Sequence, residues 1–212
     1  MEEYCAAQGI LPRFSFVPQA AVRYFEGYTA AKLEGWSDYL YDAAELAALP
    51  GRRFHRKRNK CNKFYRDYPD YRLERIGIEN IAQAEGFFSE FYAHNNKEER
   101  HYGAEAALIE KALRHFSDYG LEGALLYVGQ VCVAMTIGEI IGDTLFVHVE
   151  KADRAYDGSY EAINNLFVRA FANEIRYINR EEDMGDEGLR QAKLAYNPVA
   201  LLDKYEMTRN AP

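Results

Sequence analysis

Four groups of side chains in this 212-residue chain have types and spacings that could do chemistry. The first lies in TLFVHVEKA, residues 144–152, where His148 and Glu150 stand two apart. Strand alternation predicts Phe146, His148 and Glu150 on one face, with Val147, Val149 and Lys151 on the other. A histidine near its titration range can take a proton from an attacking amine. Glu150 would orient that base, act as the base itself, or neutralise a nearby cation. The plainer reading is a satisfied histidine beside a structural ion pair.

The second group is GRRFHRKRNKCNKFYRDY, residues 51–68. Its first sixteen residues hold eight Lys/Arg and no acid. On a helix, Phe54, Cys61, Tyr65 and Tyr68 form one apolar stripe, and Arg58 falls on it with Lys57 beside it. An unpaired buried charge is very costly, so Arg58 must meet a carboxylate, a carbonyl or a ligand anion. Two readings stay open. Either Arg58 makes an internal salt bridge and the other cations form a solvated face, or Arg58 and Lys57 line an anion site. In the second case Arg52, Arg53, Arg56, Lys60, Lys63 and Arg66 meet a polyanion. Asn59 and Asn62 can donate hydrogen bonds in both.

The third is DRAYDGSYEAINNLF, residues 153–167, a glycine-containing turn before a helix. Gly158 and Ser159 stand where backbone N–H groups and a helix N-terminus could hold a phosphate. A single glycine beside Asp157 makes a poor cradle, and Ser159 also suits an N-cap. The fourth is NREEDMGDEGLRQAK, residues 179–193. Glu181, Glu182 and Asp183 precede a helix carrying Arg190 and Lys193 one turn apart. These acids are either favourable helix-terminus charges or, at Asp183 or Glu182, a seat for a substrate ammonium. His55, His94, His101 and His115 are scattered and are assigned no chemistry. No His, Cys or acid set has metal spacing, and no nucleophile elbow is present.

Periodicity and breakers outline the elements that must position these groups. Helices are expected up to Gly9, over QAAVRYFEGY, over AAELAAL capped by Asp42, and over the basic segment until Pro69-Asp70. Two amphipathic helices follow, in ENIAQAEGFFSEFYAHNN and AEAALIEKALRHFSDYG. LPRFSFVP reads as a strand with Phe14 and Phe16 on one face, and YRLERI as another. EGALLYVG, QVCVAMTIGEIIG and DTLFVHVEKA read as three consecutive strands turned at Gly129-Gln130 and Gly142-Asp143. A helix over SYEAINNLFVRAFAN, a strand at IRYINRE, a short helix over DEGLRQAKLAY and a last strand at LLDKYEMTRN complete the order.

Composition narrows the classes. The chain is 48% hydrophobic and 28% charged, as in ordinary globular proteins. Its formal charge is −7, so any polyanion contact should be local to the basic segment. No apolar run has the roughly 20 residues of a membrane span. The acidic N-terminus lacks a signal-peptide layout, and Cys5, Cys61 and Cys132 form no disulfide framework. A cytoplasmic, reduced protein is expected.

The element order suits a mixed α/β (α+β) domain and matches the GCN5-related acyltransferase fold, with a mixed, largely antiparallel central sheet flanked by helices. The segments GRRFHRKRNKCNKFYRDYPDY, HVEKADRAYDGSYEAINNLF and INREEDMGDEGLRQAKLAYNP, in that order, resemble the DUF2156 group. That family is related to the C-terminal domain of phosphatidylglycerol lysyltransferase. The resemblance implies an acyltransferase-like fold, often as two tandem copies, and kinship with enzymes that move an aminoacyl group from charged tRNA to a lipid or peptide amine. It implies residues 1–50 as the tail of a preceding copy and 51–212 as the second copy. A half-lost sheet would leave an open strand edge, so the N-terminal part is expected to pair with a second chain.

The expected activity is (amino)acyl transfer to an amine or hydroxyl, with aminoacyl-tRNA as donor. The alternatives are a CoA-dependent N-acetyltransferase using acetyl-CoA and a non-catalytic module binding tRNA or another polyanion through Arg52–Arg66. Under the first reading His148 or Glu150 moves the proton. Lys57, Arg58, Asn59 and Arg190 meet anionic groups, Asp183 meets the substrate amine, and no metal takes part. The poor glycine content at Gly158 favours a donor other than CoA.

Overall fold

The computed structural model describes residues 2–95, 102–171 and 173–210; His101 lies outside them. In chain order the elements are α1 (Glu2–Ala7), β1 (Arg13–Pro18), α2 (Gln19–Val22), β2 (Tyr28–Lys32), β3 (Asp38–Asp42), α3 (Ala43–Ala48), α4 (His55–Asp67), β4 (Tyr71–Arg75) and α5 (Ile81–Asn95). They continue with α6 (Tyr102–Arg114), β5 (Glu122–Val128), β6 (Val131–Ile141), β7 (Thr144–Ala152), α7 (Ser159–Phe171), β8 (Tyr177–Asn179), α8 (Glu187–Leu194), β9 (Ala200–Leu202) and β10 (Lys204–Arg209). The chain forms two compact units, one of Tyr41–Asn179 and one of Met1–Leu40 with Arg180–Pro212.

In the larger unit, apolar alternation makes β5, β6 and β7 the expected antiparallel meander. Gly129 and Gly142 turn its hairpins at φ 58° and 61°, where a side chain would be strained. β4 joins β5 antiparallel and β8 joins β7 parallel. On one face Leu125, Tyr127, Met135, Ile137 and Val149 pack against Phe87, Phe88 and Tyr92 of α5, Ile109 and Leu113 of α6, and Phe116 in the turn after it. Each such large side chain contributes about 1.5–3 kcal/mol on burial, so this face supplies much of the unit's cohesion. α7 covers the other face with Ala162, Ile163, Phe167, Val168 and Phe171.

The basic segment is helical from His55, and α4 buries Phe54, Cys61 and Phe64 against α7. The expected stripe is therefore rotated. Phe64 is the fully buried residue, while Tyr65 and Tyr68 are only half-buried. Tyr65 instead uses its hydroxyl, donating to Asn165 Oδ1 at 3.1 Å. Asn165 Nδ2 donates to the carbonyls of Leu46 and Ala47, both at 2.9 Å, so one buried amide ties α3, α4 and α7 together. Asp42 caps α3 as expected, accepting from the Glu45 N–H at 2.9 Å.

Gly158, just before α7, has φ 89°, and a Cβ there would lie 2.7 Å from the Lys60 carbonyl oxygen and 3.2 Å from Phe64 Cβ. Gly158→Ala should therefore cost about 2 kcal/mol, from left-handed strain plus crowding. Urea denaturation checks this; an unchanged midpoint would deny the close approach to α4.

In the smaller unit β10 lies between β1 and β2, antiparallel to both, so strands from the first fifty residues pair with the C-terminal strand of the same chain. The register of β1 breaks between Phe14 and Val17, with Phe16 at φ 60°. The expected common face of Phe14 and Phe16 is lost to this bulge. Phe14 packs on Phe25 and Tyr28, at 5.3 and 5.8 Å, whereas Phe16 meets Trp36 at 5.1 Å. The helix expected over QAAVRYFEGY is one turn, and the last strand divides at Asp203. That residue accepts from Ser37 Oγ at 2.7 Å and pairs with Lys32 at 2.8 Å. β9 pairs antiparallel with the Asp38–Leu40 part of β3. Among the described residues no helix is long and apolar enough to cross a membrane.

Candidate functional site

β6 and β7 pair in step from Ala134–Ala152 to Ile137–Val149, and then resume at Gly138–Val147. His148 is the extra residue of a β-bulge. An inserted residue reverses the alternation beyond it, so the face shared by His148 and Glu150 in the sequence reading does not form. Val149 joins the α5/α6 cluster, and Lys151 reaches Glu105 of α6 at 2.8 Å. Glu150 turns to the opposite face, accepting from Asn164 Nδ2 of α7 at 2.8 Å. His148 Nε2 lies 3.1 Å from Glu139 Oε1 on β6.

The bulge depends on Gly138. A Cβ there would sit 2.2 Å from the Phe146 carbonyl oxygen. The ladder between β7 and β8 covers only Thr144–Phe146, although β7 runs on to Ala152. The ladder stops because β8 ends at Asn179, opposite Phe146 and two residues before His148. Glu139 carried no signal in the sequence, because its nearness to His148 comes from a register that only the bulge creates.

The cations of α4 mostly meet the protein's own acceptors. Arg58 donates through Nη1 to the carbonyls of Leu49 at 2.5 Å and Gly51 at 3.0 Å, and meets no carboxylate among the described residues. Leu49 is the left-handed C-cap of α3, so Arg58 satisfies carbonyls at that helix end. Lys57 pairs with Glu161 at 3.1 Å, and Lys60 and Lys63 pair with Asp157 at 2.5 and 3.3 Å. Lys63 and Arg66 also pair with Asp67, and Arg53 pairs with Glu45. Lys60 and Lys63 hold the Asp157 carboxyl below its ordinary range. Asn59 Nδ2 lies 3.2 Å from His55 Nε2. Exposed pairs of this kind stabilise little, but they reduce the positive field offered to a polyanion. Burial pushes the Cys61 thiol up to about 12, which removes it as a thiolate nucleophile.

The turn before α7 is closed on itself. Ser159 donates its N–H to Tyr156 O at 3.0 Å and its hydroxyl to Asp153 O at 2.8 Å. Gly158 is explained by its contact with α4.

Asp183 and Arg190 are brought together in the smaller unit and bind each other. Arg190 donates through Nε to Oδ2 at 2.9 Å and through Nη2 to Oδ1 at 3.1 Å. Tyr39 donates its hydroxyl to Oδ2 at 2.6 Å, and the Gly185 N–H donates to Oδ1 at 2.8 Å. The guanidinium holds the Asp183 carboxyl at about 2, and burial, then Asp183, pushes the Tyr39 phenol up to about 12. Lys193 is buried and donates to the carbonyls of Arg180 at 2.6 Å, Glu181 at 3.2 Å and Glu182; burial pushes its amine down to about 8. Arg190 and Lys193, one turn apart on α8, therefore both hold the 180–186 loop. Glu182 pairs instead with Lys204 at 3.2 Å. Tyr39 escaped the sequence reading because its partner Asp183 is remote in sequence, and Lys193 was named there without a role because its partners are backbone carbonyls.

An antiparallel meander followed by a helix and a parallel strand gives the mixed α+β arrangement of an acyltransferase-like fold of the GCN5-related kind. Within that class the chain belongs to the family of phosphatidylglycerol lysyltransferase C-terminal domains, whose model matches residues 1–208, as the three motifs implied. A conserved protein of unknown function from Bacteroides thetaiotaomicron is 35% identical with a TM-score of 0.91, over 98% of this chain and 73% of that one. The structure of L-PGS from Bacillus licheniformis, at 14% identity, aligns with a TM-score of 0.68 over all of this chain and 71% of its own. The uncharacterised protein MYCGA3080 of Mycoplasmoides gallisepticum is 23% identical over 173 residues, which is 81% of this chain and 56% of that protein. The chain thus spans little more than half the length of that curated relative.

Proposed function

We propose that this chain is an acyltransferase of the aminoacyl-transfer type. An amine or hydroxyl acceptor attacks an activated acyl ester beside the β7 bulge, and His148 takes the acceptor's proton. The observation that carries this reading is the end of β8 at Asn179, opposite Phe146, which leaves β7 without a β8 partner from Val147 onward. The strand edge beyond Phe146 suits an extended acyl-bearing donor, which can hydrogen-bond to it as an added strand. The nucleophile attacks the ester carbonyl, and strand N–H groups stabilise the oxyanion. The C–O bond then breaks, and the proton held by His148 goes to the departing hydroxyl. Arg58, Asp183 and Arg190 serve by ordering the frame, and Glu150 by anchoring α7. Lys57 does so through Glu161.

Aminoacyl-tRNA is the preferred donor. Family membership supports it, and so does the turn at 153–159, whose Ser159 N–H is used internally. Acyl transfer to amine and hydroxyl acceptors should be measured with charged tRNA and with acetyl-CoA in parallel. Turnover is expected with charged tRNA, and His148→Gln should lower it by at least about 100-fold while the melting temperature holds. Turnover with acetyl-CoA alone would overturn the donor. Salt-sensitive tRNA binding without turnover would leave a binding module.

A further inference from the structure

We infer that the phosphate backbone of the tRNA donor docks at the start of α4, through Arg52 and Arg56, and not along the whole basic segment. That assignment rests on the aminoacyl-tRNA donor proposed above.

The eight cations of residues 51–66 divide into two groups by what they meet. Six are engaged. Arg53, Lys57, Lys60, Lys63 and Arg66 pair with Glu45, Glu161, Asp157 and Asp67, and Arg58 is held by the carbonyls of Leu49 and Gly51. Arg52 and Arg56 are exposed, and neither guanidinium meets a carboxylate, a carbonyl or an aromatic ring among the described residues. The Arg52 carbonyl accepts the His55 N–H at 3.1 Å, so its turn winds directly into the helix. Four residues separate the two arginines, about one helical turn.

Charge complementarity selects the occupant. The chain has a formal charge of −7, so a polyanion is repelled by most of it and must enter where positive charge is not already matched. A guanidinium is weakly hydrated and presents a planar fork of donors that fits phosphate oxygens. Two such forks side by side can grip the phosphates of one strand. Lys60 and Lys63 would have to give up Asp157 to do the same. Contacts to phosphate position a nucleic acid without reading its sequence, so this surface takes any tRNA.

The test is the binding of deacylated tRNA to the whole chain across a salt series, for wild type, Arg52→Gln/Arg56→Gln and Lys60→Gln/Lys63→Gln. Each phosphate contact adds about 0.7–0.9 to the slope of log affinity against log salt. The arginine pair should therefore reduce the slope by about 1.5, and the lysine pair by less than about 0.5. In transfer from charged tRNA the arginine variant should raise KM by at least about 10-fold with kcat held. Wild type that binds no tRNA, an arginine variant with the wild-type slope, or equal losses in the two variants would overturn the inference. Transfer from charged tRNA with an unchanged slope in the arginine variant would overturn the surface and leave the reaction standing. A reduced slope in the arginine variant, with no transfer by wild type from charged tRNA, would uphold the surface and overturn the reaction.

Discussion

Asp183→Ala should lower the unfolding free energy by about 3 kcal/mol, a large part of a domain's net stability. The carboxylate is 4% exposed and accepts four hydrogen bonds, two of them from Arg190. Alanine leaves the Tyr39 hydroxyl and the guanidinium facing a cavity, and unmade buried bonds cost more than made ones gain. Arg190 is about one-third exposed and rehydrates in part, which keeps the loss at the lower end for a broken buried pair. Asp183→Asn keeps the shape and should lose less.

The same group sets an acid dependence. The folded carboxyl titrates at about 2, below the ordinary value near 4 for an unfolded aspartate. A depressed carboxylate contributes fully above about pH 4 and loses its contribution as pH falls towards 2. The stability difference between wild type and Asp183→Asn should therefore shrink across that window. Urea midpoints from pH 5 to 2 measure it, and parallel curves would show that Arg190 does not hold Asp183 as described.

The second large effect is expected at Gly138. A methyl group there would meet the Phe146 carbonyl oxygen at 2.2 Å, and the obstacle is backbone that cannot rotate away. Gly138→Ala should cost about 3 kcal/mol, the upper end for overpacking, or force β6 and β7 into a new register. Either way the distance from His148 to Glu139 changes. Transfer activity should be lost in this variant even under conditions where it remains folded. A variant as stable and active as wild type would remove the bulge from the explanation of the site.

Much of the fold was legible because it rests on local rules. The glycine-turned hairpins of β5–β7, the Asp42 cap, the end of α4 before Pro69 and the apolar side of α6 each follow from a few adjacent residues. The failures cluster where backbone count matters. Phe14 and Phe16 were placed together, as were His148 and Glu150, and in both strands one inserted residue separated them. Strand alternation has a period of two, so a single bulge reverses everything beyond it, and composition does not announce it. The rotation of α4 was missed for a related reason. Phe64 and Tyr65 are adjacent, and only packing on α7 and the Asn165 amide decide which is buried.

The sequence by itself determined the element order, the segregation of positive charge into one helix, and the motifs that mark the family. These depend on residue type and short spacing. Tertiary structure alone decided what each charged or polar group meets. Arg58 could have faced a carboxylate but caps α3, Asp183 could have awaited an amine but holds Arg190, and His148 found Glu139 rather than Glu150. A side chain's partner is set by register and packing between segments as much as a hundred or more residues apart. A buried or half-buried charge takes whichever opposing group the folded backbone brings within hydrogen-bond reach.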